Sequence, residues 1–142
     1  DNDIADNKTA NIIISSYFST NYYNTRGVAA VSNPYPKGIY IYDNRLKGGG
    51  DSPDGLKLKT LKTAVYGLGG HFPDVLWDGY VDAKSLVDGL PPANDRICIH
   101  DVNGVLNADG PHDYKNPSTD TKAYQCDLPK LPAVVLDPAP KA

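Results

Sequence analysis

The chain has 142 residues, 40% of them apolar, with 13 glycines, 12 prolines and a formal net charge of −3. This size and composition predict one compact, turn-rich domain that can bury a core. The acidic balance excludes a broad surface that coats nucleic acid, so contact with nucleic acid would depend on a few local cations.

Two features indicate the compartment. Cys98 and Cys126 fit neither a metal quartet nor a Cys-x-x-Cys redox pair, so we expect one disulfide formed in an oxidising environment. No apolar run approaches the length of a membrane span, and the polar start at Asp1 is typical of a processed end. We therefore expect a secreted monomer with no membrane partner.

The first quarter of the chain contains one apolar segment whose structure is ambiguous. Four large side chains share one helical face and favour a short helix within residues 10–23: Ile13, Ile14, Tyr17 and Phe18. A strand at residues 12–14 is the alternative, because β-branched residues dominate there. After Gly38, residues 38–42 are all β-branched or aromatic, which makes this segment the clearest strand prediction in the chain.

The middle of the chain combines a glycine-rich loop with a basic segment. Residues 56–63 alternate apolar and cationic or polar side chains, which predicts a half-buried strand with a basic outer face. From Arg45 to Lys62 there are five cations and two acids, a balance that suits either a phosphate backbone or a solvated strand face. Residues 75–81 predict a further strand that packs Trp77 into the core.

The third quarter of the chain is predicted to form a hairpin. Residues 97–99 form a short apolar strand, turn residues follow at 102–105, and a returning segment leads to His112. A hairpin can bring Arg96 at its mouth close to His112 at the end of the partner strand. An arginine that holds a phosphate beside a histidine that transfers a proton suits phosphodiester chemistry. A surface hairpin with solvated charges is the alternative.

Metal binding is disfavoured by the spacing of the potential ligands. The segment from Asp101 to Asp109 resembles the opening of a calcium loop, but His112 stands where the acidic ligand at the twelfth position is expected. The three histidines lack the spacing of a zinc site. We therefore expect no metal and no cofactor.

Three short motifs resemble those of the microbial guanyl-specific ribonucleases, the barnase-like and fungal-type small secreted enzymes. They are Gly38-Ile39-Tyr40-Ile41-Tyr42-Asp43-Asn44-Arg45, Asn94-Asp95-Arg96-Ile97-Cys98 and Gly110-Pro111-His112-Asp113-Tyr114, and they occur in the family's order. The resemblance covers about half of the chain. Together with the element predictions, it implies an α+β domain with an N-terminal helix packed on an antiparallel sheet of four or five strands.

The resemblance also implies a site for cleaving single-stranded RNA to a 2′,3′-cyclic phosphate without metal. His112 would protonate the leaving oxygen, Asp82 would act as the base and Arg96 would stabilise the transition state. The substrate-binding residues implied by the motifs are Tyr42, Asn44, Arg45 and Tyr114.

Several departures from the family pattern favour an alternative. Leu46 replaces the glutamate that binds the guanine edge, and Asp82 is one methylene shorter than the family's catalytic glutamate. The alternative is a catalytically inactive effector or recognition module that binds a host macromolecule. On either reading, residues 1–127 form the domain, residues 48–73 are an insertion, and residues 128–142 are a proline-rich tail.

Overall fold

The structure is a computed structural model that describes residues 1–20 and 33–133. Its strands are short, with three residues each: β1 (Asp3–Ala5), β2 (Ile12–Ile14), β3 (Ile39–Ile41), β4 (Arg45–Lys47), β5 (Val75–Trp77), β6 (Ile97–Ile99) and β7 (Val105–Asn107). Helix α1 (Leu56–Tyr66) lies between β4 and β5. Four 3₁₀ turns complete the described elements: Ala83–Ser85, Ala93–Asp95, Gly110–His112 and Lys122–Tyr124.

The named strands stack as a parallel coil. β4 pairs with β1, β5 with β2, β6 with β3, and β7 with β5, and every one of these pairings is parallel. Strands that follow one another in sequence do not pair, because the chain visits three sheets in turn and then returns to the first. The described residues thus form two turns of a parallel β-helix and the β7 strand of a third.

This topology corrects the predicted fold class: the N-terminal helix on an antiparallel sheet is wrong. Ile12–Ile14 is strand β2, which pairs with β5, and not part of a helix. Ile14 is buried while Ile13 is 52% exposed, so neighbouring side chains point to opposite sides as they do in a strand. The remainder of the predicted helix, from residue 21, lies outside the described residues.

The predicted hairpin is also wrong. β6 pairs with β3, and β7 pairs with β5, so the turn between them is a corner of the coil. The backbone of Asn103 donates to Asp74 Oδ2 at 2.8 Å, and the backbone of Asp74 donates to Asn103 Oδ1 at 2.9 Å. This reciprocal pair ties the corner to the previous turn of the coil.

Helix α1 occupies the segment that was predicted as a basic strand. Leu58, Leu61 and Val65 are spaced three and four residues apart, and they form the stripe that packs inward, with Leu61 4% exposed. The strand was predicted because apolar and lysine side chains alternate, which is the two-residue repeat of a strand.

Other predicted strands are confirmed in position. Residues 38–42 contain β3, and β5 begins at Val75 but ends at Trp77, short of the predicted residue 81. Trp77 is packed, as expected, with 7% of its surface exposed.

The core has two layers because β5 is buried on both sides. One layer fills the interior of the coil: Ile14, Ile41, Val75, Trp77, Ile97, Ile99, Val105 and Tyr124. The other lies between the sheet and α1: Ala10, Leu61, Phe72, Leu76, Leu106 and Ala108. Successive residues of β5 enter opposite layers, which is the alternation expected of a strand.

Residues 118–130, which we call the C-terminal strap, run from β7 to the β3–β6 sheet. The predicted disulfide between Cys98 and Cys126 is confirmed. Tyr40 Oη donates to Asp127 Oδ1 at 2.7 Å, and this bond raises the pKa of Tyr40 to about 12. The strap begins at Ser118, whose backbone exchanges two hydrogen bonds with Asn107. The strap is therefore tied to the coil at several points.

Across residues 1–20 and 33–133, no helix combines the length and apolar character needed to cross a membrane.

Candidate ligand-binding cavity

A cavity of about 300 Å³ lies where the β5–β6 loop meets the C-terminal strap. Trp77 and Asn107, which pair in register at the ends of β5 and β7, line it from the coil. Leu90 and Arg96 line it from the loop side, and the strap contributes its residues 122–126. The cavity thus joins segments that are far apart in the sequence.

Two aromatic rings of the core, Trp77 and Tyr124, line the cavity. Trp77 and Tyr124 meet edge to face, with ring centroids 5.8 Å apart and an interplanar angle of 88°. Burial raises the pKa of Tyr124 to about 12, so its hydroxyl is neutral at physiological pH. The Nε1 atom of Trp77 is buried and has no hydrogen-bond partner among the described residues. A buried donor without a partner is rare, and it favours a role for a bound acceptor.

The cavity wall is rich in hydrogen-bond donors. Arg96 Nε donates to the carbonyl oxygen of Pro91 at 3.1 Å, which fixes the half-buried guanidinium. Within the described ranges, its terminal nitrogens and the Nζ atom of Lys122 have no hydrogen-bond or ion-pair partner. The one carboxylate of the lining, Asp95, lies 3.5 Å from Lys37 Nζ. The unpaired groups therefore favour an anionic, acceptor-rich ligand.

Asp82, the predicted base, lies in a smaller neighbouring cavity of about 70 Å³. The two cavities share Pro91 and Asp95 in their linings, so Asp82 and Arg96 belong to the same region of the surface. Asp82 Oδ1 accepts a hydrogen bond from the backbone of Lys84 at 3.0 Å. Its visible role is to cap the 3₁₀ turn Ala83–Ser85.

His112, the predicted acid, lies in the 3₁₀ turn that follows β7. Its Nδ1 is 2.6 Å from Asp109 Oδ1, and this hydrogen bond lowers the pKa of Asp109. Asp109 Oδ2 accepts from the backbone of Asn116 at 3.0 Å, which orients the carboxylate. An imidazole that donates through Nδ1 keeps its Nε2 available for proton transfer. Sequence reasoning missed this role of Asp109, although its spacing of three residues from His112 was a usable signal.

Tyr114 lies beside a different groove, of about 490 Å³, between α1 and residues 113–117. Lys57 Nζ is 5.7 Å from the centre of the Tyr114 ring and 3.3 Å from Asp113 Oδ1. Tyr114 has φ of 62°, a conformation that is uncommon for an aromatic residue. Within the described part of the chain, no hydrogen bond or ion pair joins Arg96 to His112.

The residues predicted for base recognition form a structural network at the start of β4. The guanidinium of Arg45 is held by Asp3 and by Asp1, the latter at 3.2 Å. Asn44 Oδ1 accepts from the Asn2 side chain at 3.0 Å. Tyr42 packs on Tyr40 with ring centroids 4.5 Å apart, and Lys130 Nζ lies 4.4 Å from the centre of the Tyr42 ring. These groups already have partners.

The described residues contain no cluster of three or more histidine, cysteine, aspartate or glutamate side chains that could hold a metal ion.

The fold defines a short parallel β-helix whose outer faces carry a helix and a disulfide-linked strap. Comparison with known protein families, with curated proteins and with solved structures found no match for this chain. The ribonuclease resemblance therefore stays a prediction from three motifs, and the fold that it implies is wrong.

Proposed function

We propose that this domain is a recognition module that binds an anionic group of a macromolecule in the cavity lined by Arg96. The observation that carries the proposal is the pair of unpaired cationic groups in the lining of one cavity: the terminal nitrogens of Arg96 and Lys122 Nζ. A cavity of about 300 Å³ lies within the range of small-ligand sites.

The position of Arg96 suits recognition of an anion. Its hydrogen bond to Pro91 holds the guanidinium before the ligand arrives, so less side-chain entropy is lost on binding. A half-buried guanidinium also forms stronger hydrogen bonds to an anion than one in open solvent. Because the whole chain is acidic, with a net charge of −3, binding would be local to this cavity.

The disulfide supports a setting outside the reducing cytosol. We place the module in an extracellular environment, where its partner is a host or cell-surface macromolecule.

Replacing Arg96 by glutamine is expected to weaken binding of an anionic polymer by about 10-fold or more, because a charge-assisted hydrogen bond is lost. The measurement is retention on an immobilised polyuronate, a sulfated glycan and single-stranded RNA at about 0.15 M salt. The matched control is Arg45→Gln, because Asp1 and Asp3 already engage that guanidinium. Equal losses in both variants, or no retention of the unmodified protein by any of the three polymers, would contradict the proposal.

Cleavage of single-stranded RNA is a second candidate function, and the hydrogen bond between Asp109 and His112 favours it. Asp109 orients the ring, and the exposed Nε2 of His112 can accept the proton of a ribose 2′ hydroxyl or protonate the leaving 5′ oxygen. The 2′ oxygen would then form a bond to phosphorus while the bond to the 5′ oxygen breaks.

The matching test is incubation of end-labelled RNA with the protein and a chelator, followed by analysis of the new termini. If the enzyme prediction holds, cyclic-phosphate ends appear, and His112→Ala lowers the rate by about 10²- to 10⁴-fold. His71→Ala is the control, since no role in binding or catalysis is proposed for His71. RNA that stays intact from about pH 4 to about pH 8 would remove this candidate and leave the recognition module unaffected.

A further inference from the structure

The size and walls of the Arg96 cavity restrict the shape of its ligand. Its volume of about 300 Å³ is at the lower end of the range for small-ligand sites, so it suits one ring-sized unit of a larger molecule. The loop side of the wall is aliphatic, with Val81, Leu86 and Leu90. Such walls contact the carbon–hydrogen faces of a saturated ring.

The aromatic residues of the cavity are poorly placed to stack on a flat base. Trp77 and Tyr124 are 7% and 6% exposed, and their rings already contact each other edge to face. Sequence-tolerant binding of a nucleobase depends on an accessible aromatic face. The cavity therefore favours a saturated ring over a nucleobase.

The polar groups of the lining match a polyhydroxylated ring with one negative charge. The side-chain amide of Asn107 is hydrogen-bonded to the Tyr124 hydroxyl, whereas the side-chain amide of Gln125 has no hydrogen-bond partner among the described residues and can both donate to and accept from hydroxyl groups. Arg96 and Lys122 supply two unpaired cations.

We infer that the group held in this cavity is a sugar residue that carries an anionic substituent, either a carboxylate or a phosphate ester. The inference rests on the proposed recognition function and names the ligand class of the same site. The terminal nitrogens of Arg96 bind the anionic oxygens, Lys122 adds a second positive charge, and the side-chain amide of Gln125 contacts the ring hydroxyls.

Calorimetric titration with four probes tests the inference: glucuronate, glucose 6-phosphate, glucose and adenosine 5′-monophosphate. We expect glucuronate or glucose 6-phosphate to bind at least about 10-fold more tightly than glucose, because glucose lacks the charge. Whichever anionic sugar binds more tightly identifies the substituent as a carboxylate or as a phosphate ester. The nucleotide is expected to bind no more tightly than glucose 6-phosphate.

Variants connect the binding to this cavity. Lys122→Gln changes an exposed side chain. We expect it to lower the affinity for the anionic sugar several-fold and the affinity for glucose by a smaller factor. Lys59→Gln, an exposed lysine of α1 outside this cavity, is the control.

The outcomes separate this inference from the function on which it rests. Binding of glucose as tight as that of both anionic sugars, tighter binding of the nucleotide than of either anionic sugar, or no binding of any sugar would overturn the sugar inference. If Arg96-dependent retention on a polymer persists in that case, the recognition function stands with another ligand class. If retention is also absent, both proposals fail.

Discussion

Truncation of Leu106 to alanine is expected to lower the free energy of unfolding by about 3–5 kcal/mol. Leu106 lies in the middle of β7 with 0% of its surface exposed, and it packs in the layer with Leu61, Phe72 and Leu76. The substitution removes three buried carbons and leaves a cavity between the coil and α1. Because both sides of that cavity are held by regular structure, it can collapse only in part.

Equilibrium denaturation by urea measures this effect, with Leu131→Ala as the control. Leu131 is 90% exposed, so its truncation is expected to change the stability by no more than about 0.5 kcal/mol. If the two variants are equally stable, Leu106 does not lie beneath α1 and the two-layered core is incorrect.

Removal of the disulfide by the double substitution Cys98→Ala and Cys126→Ser is expected to destabilise the domain by about 3–4 kcal/mol. The bond closes a loop with a sequence separation of 28, and its loss gives the unfolded chain more conformations. Cys98 is 0% exposed, so alanine is the suitable replacement there, whereas the partly buried Cys126 tolerates serine.

The same variant also tests the placement of the strap. Tyr124 lies two residues before Cys126 and contacts Trp77, the only tryptophan of the chain. Loosening the strap is therefore expected to admit water to the indole and shift its emission to longer wavelength in the folded state. The unmodified protein treated with a dithiol should show the same shift. An unchanged emission spectrum together with unchanged stability would contradict the role given to the strap.

Strand positions were predictable from local sequence, whereas strand pairing was not. Residues 39–41 are β-branched or aromatic, residues 97–99 are two isoleucines around Cys98, and both segments form strands. The turn residues around Asn103 and Gly104 suit a hairpin loop and a corner of a coil equally well. The parallel pairing depends on contacts between strands 30 to 63 residues apart, such as Ile39 with Ile97. Local patterns carry no information about those contacts.

Two segments were assigned to the wrong element because their periodicity is ambiguous. Residues 12–14 are three isoleucines in a row, which satisfy a helical stripe and a strand alike. In α1, leucines at positions 56 and 58 alternate with lysines, but the buried Leu61 and Val65 follow the helical period. Packing against Leu76 and Leu106 stabilises α1 as a helix, and that packing requires the strands of the coil to be in place.

The sequence predicted a single residue of the candidate site, and not the wall that faces it. Arg96 was singled out because guanidinium groups bind anions, and it lines the cavity. Lys122 and Tyr124, which form the facing wall, lie more than 25 residues away in sequence and have no motif to mark them. The disulfide brings them close, and the pairing of two cysteines was predictable even though its effect on the cavity was not.

The indole resonance of Trp77 in a ¹⁵N–¹H correlation spectrum tests the ligand site most directly, because the chain has one tryptophan and so gives one such signal. The titrant is the polymer, among the polyuronate, the sulfated glycan and RNA, that retains the protein most tightly. If the cavity is the site, a ligand in it changes the surroundings of the Trp77 ring, and the Nε1–H resonance shifts in proportion to occupancy. A stationary indole signal, while backbone resonances elsewhere shift to saturation, would show that the ligand binds outside the Arg96 cavity.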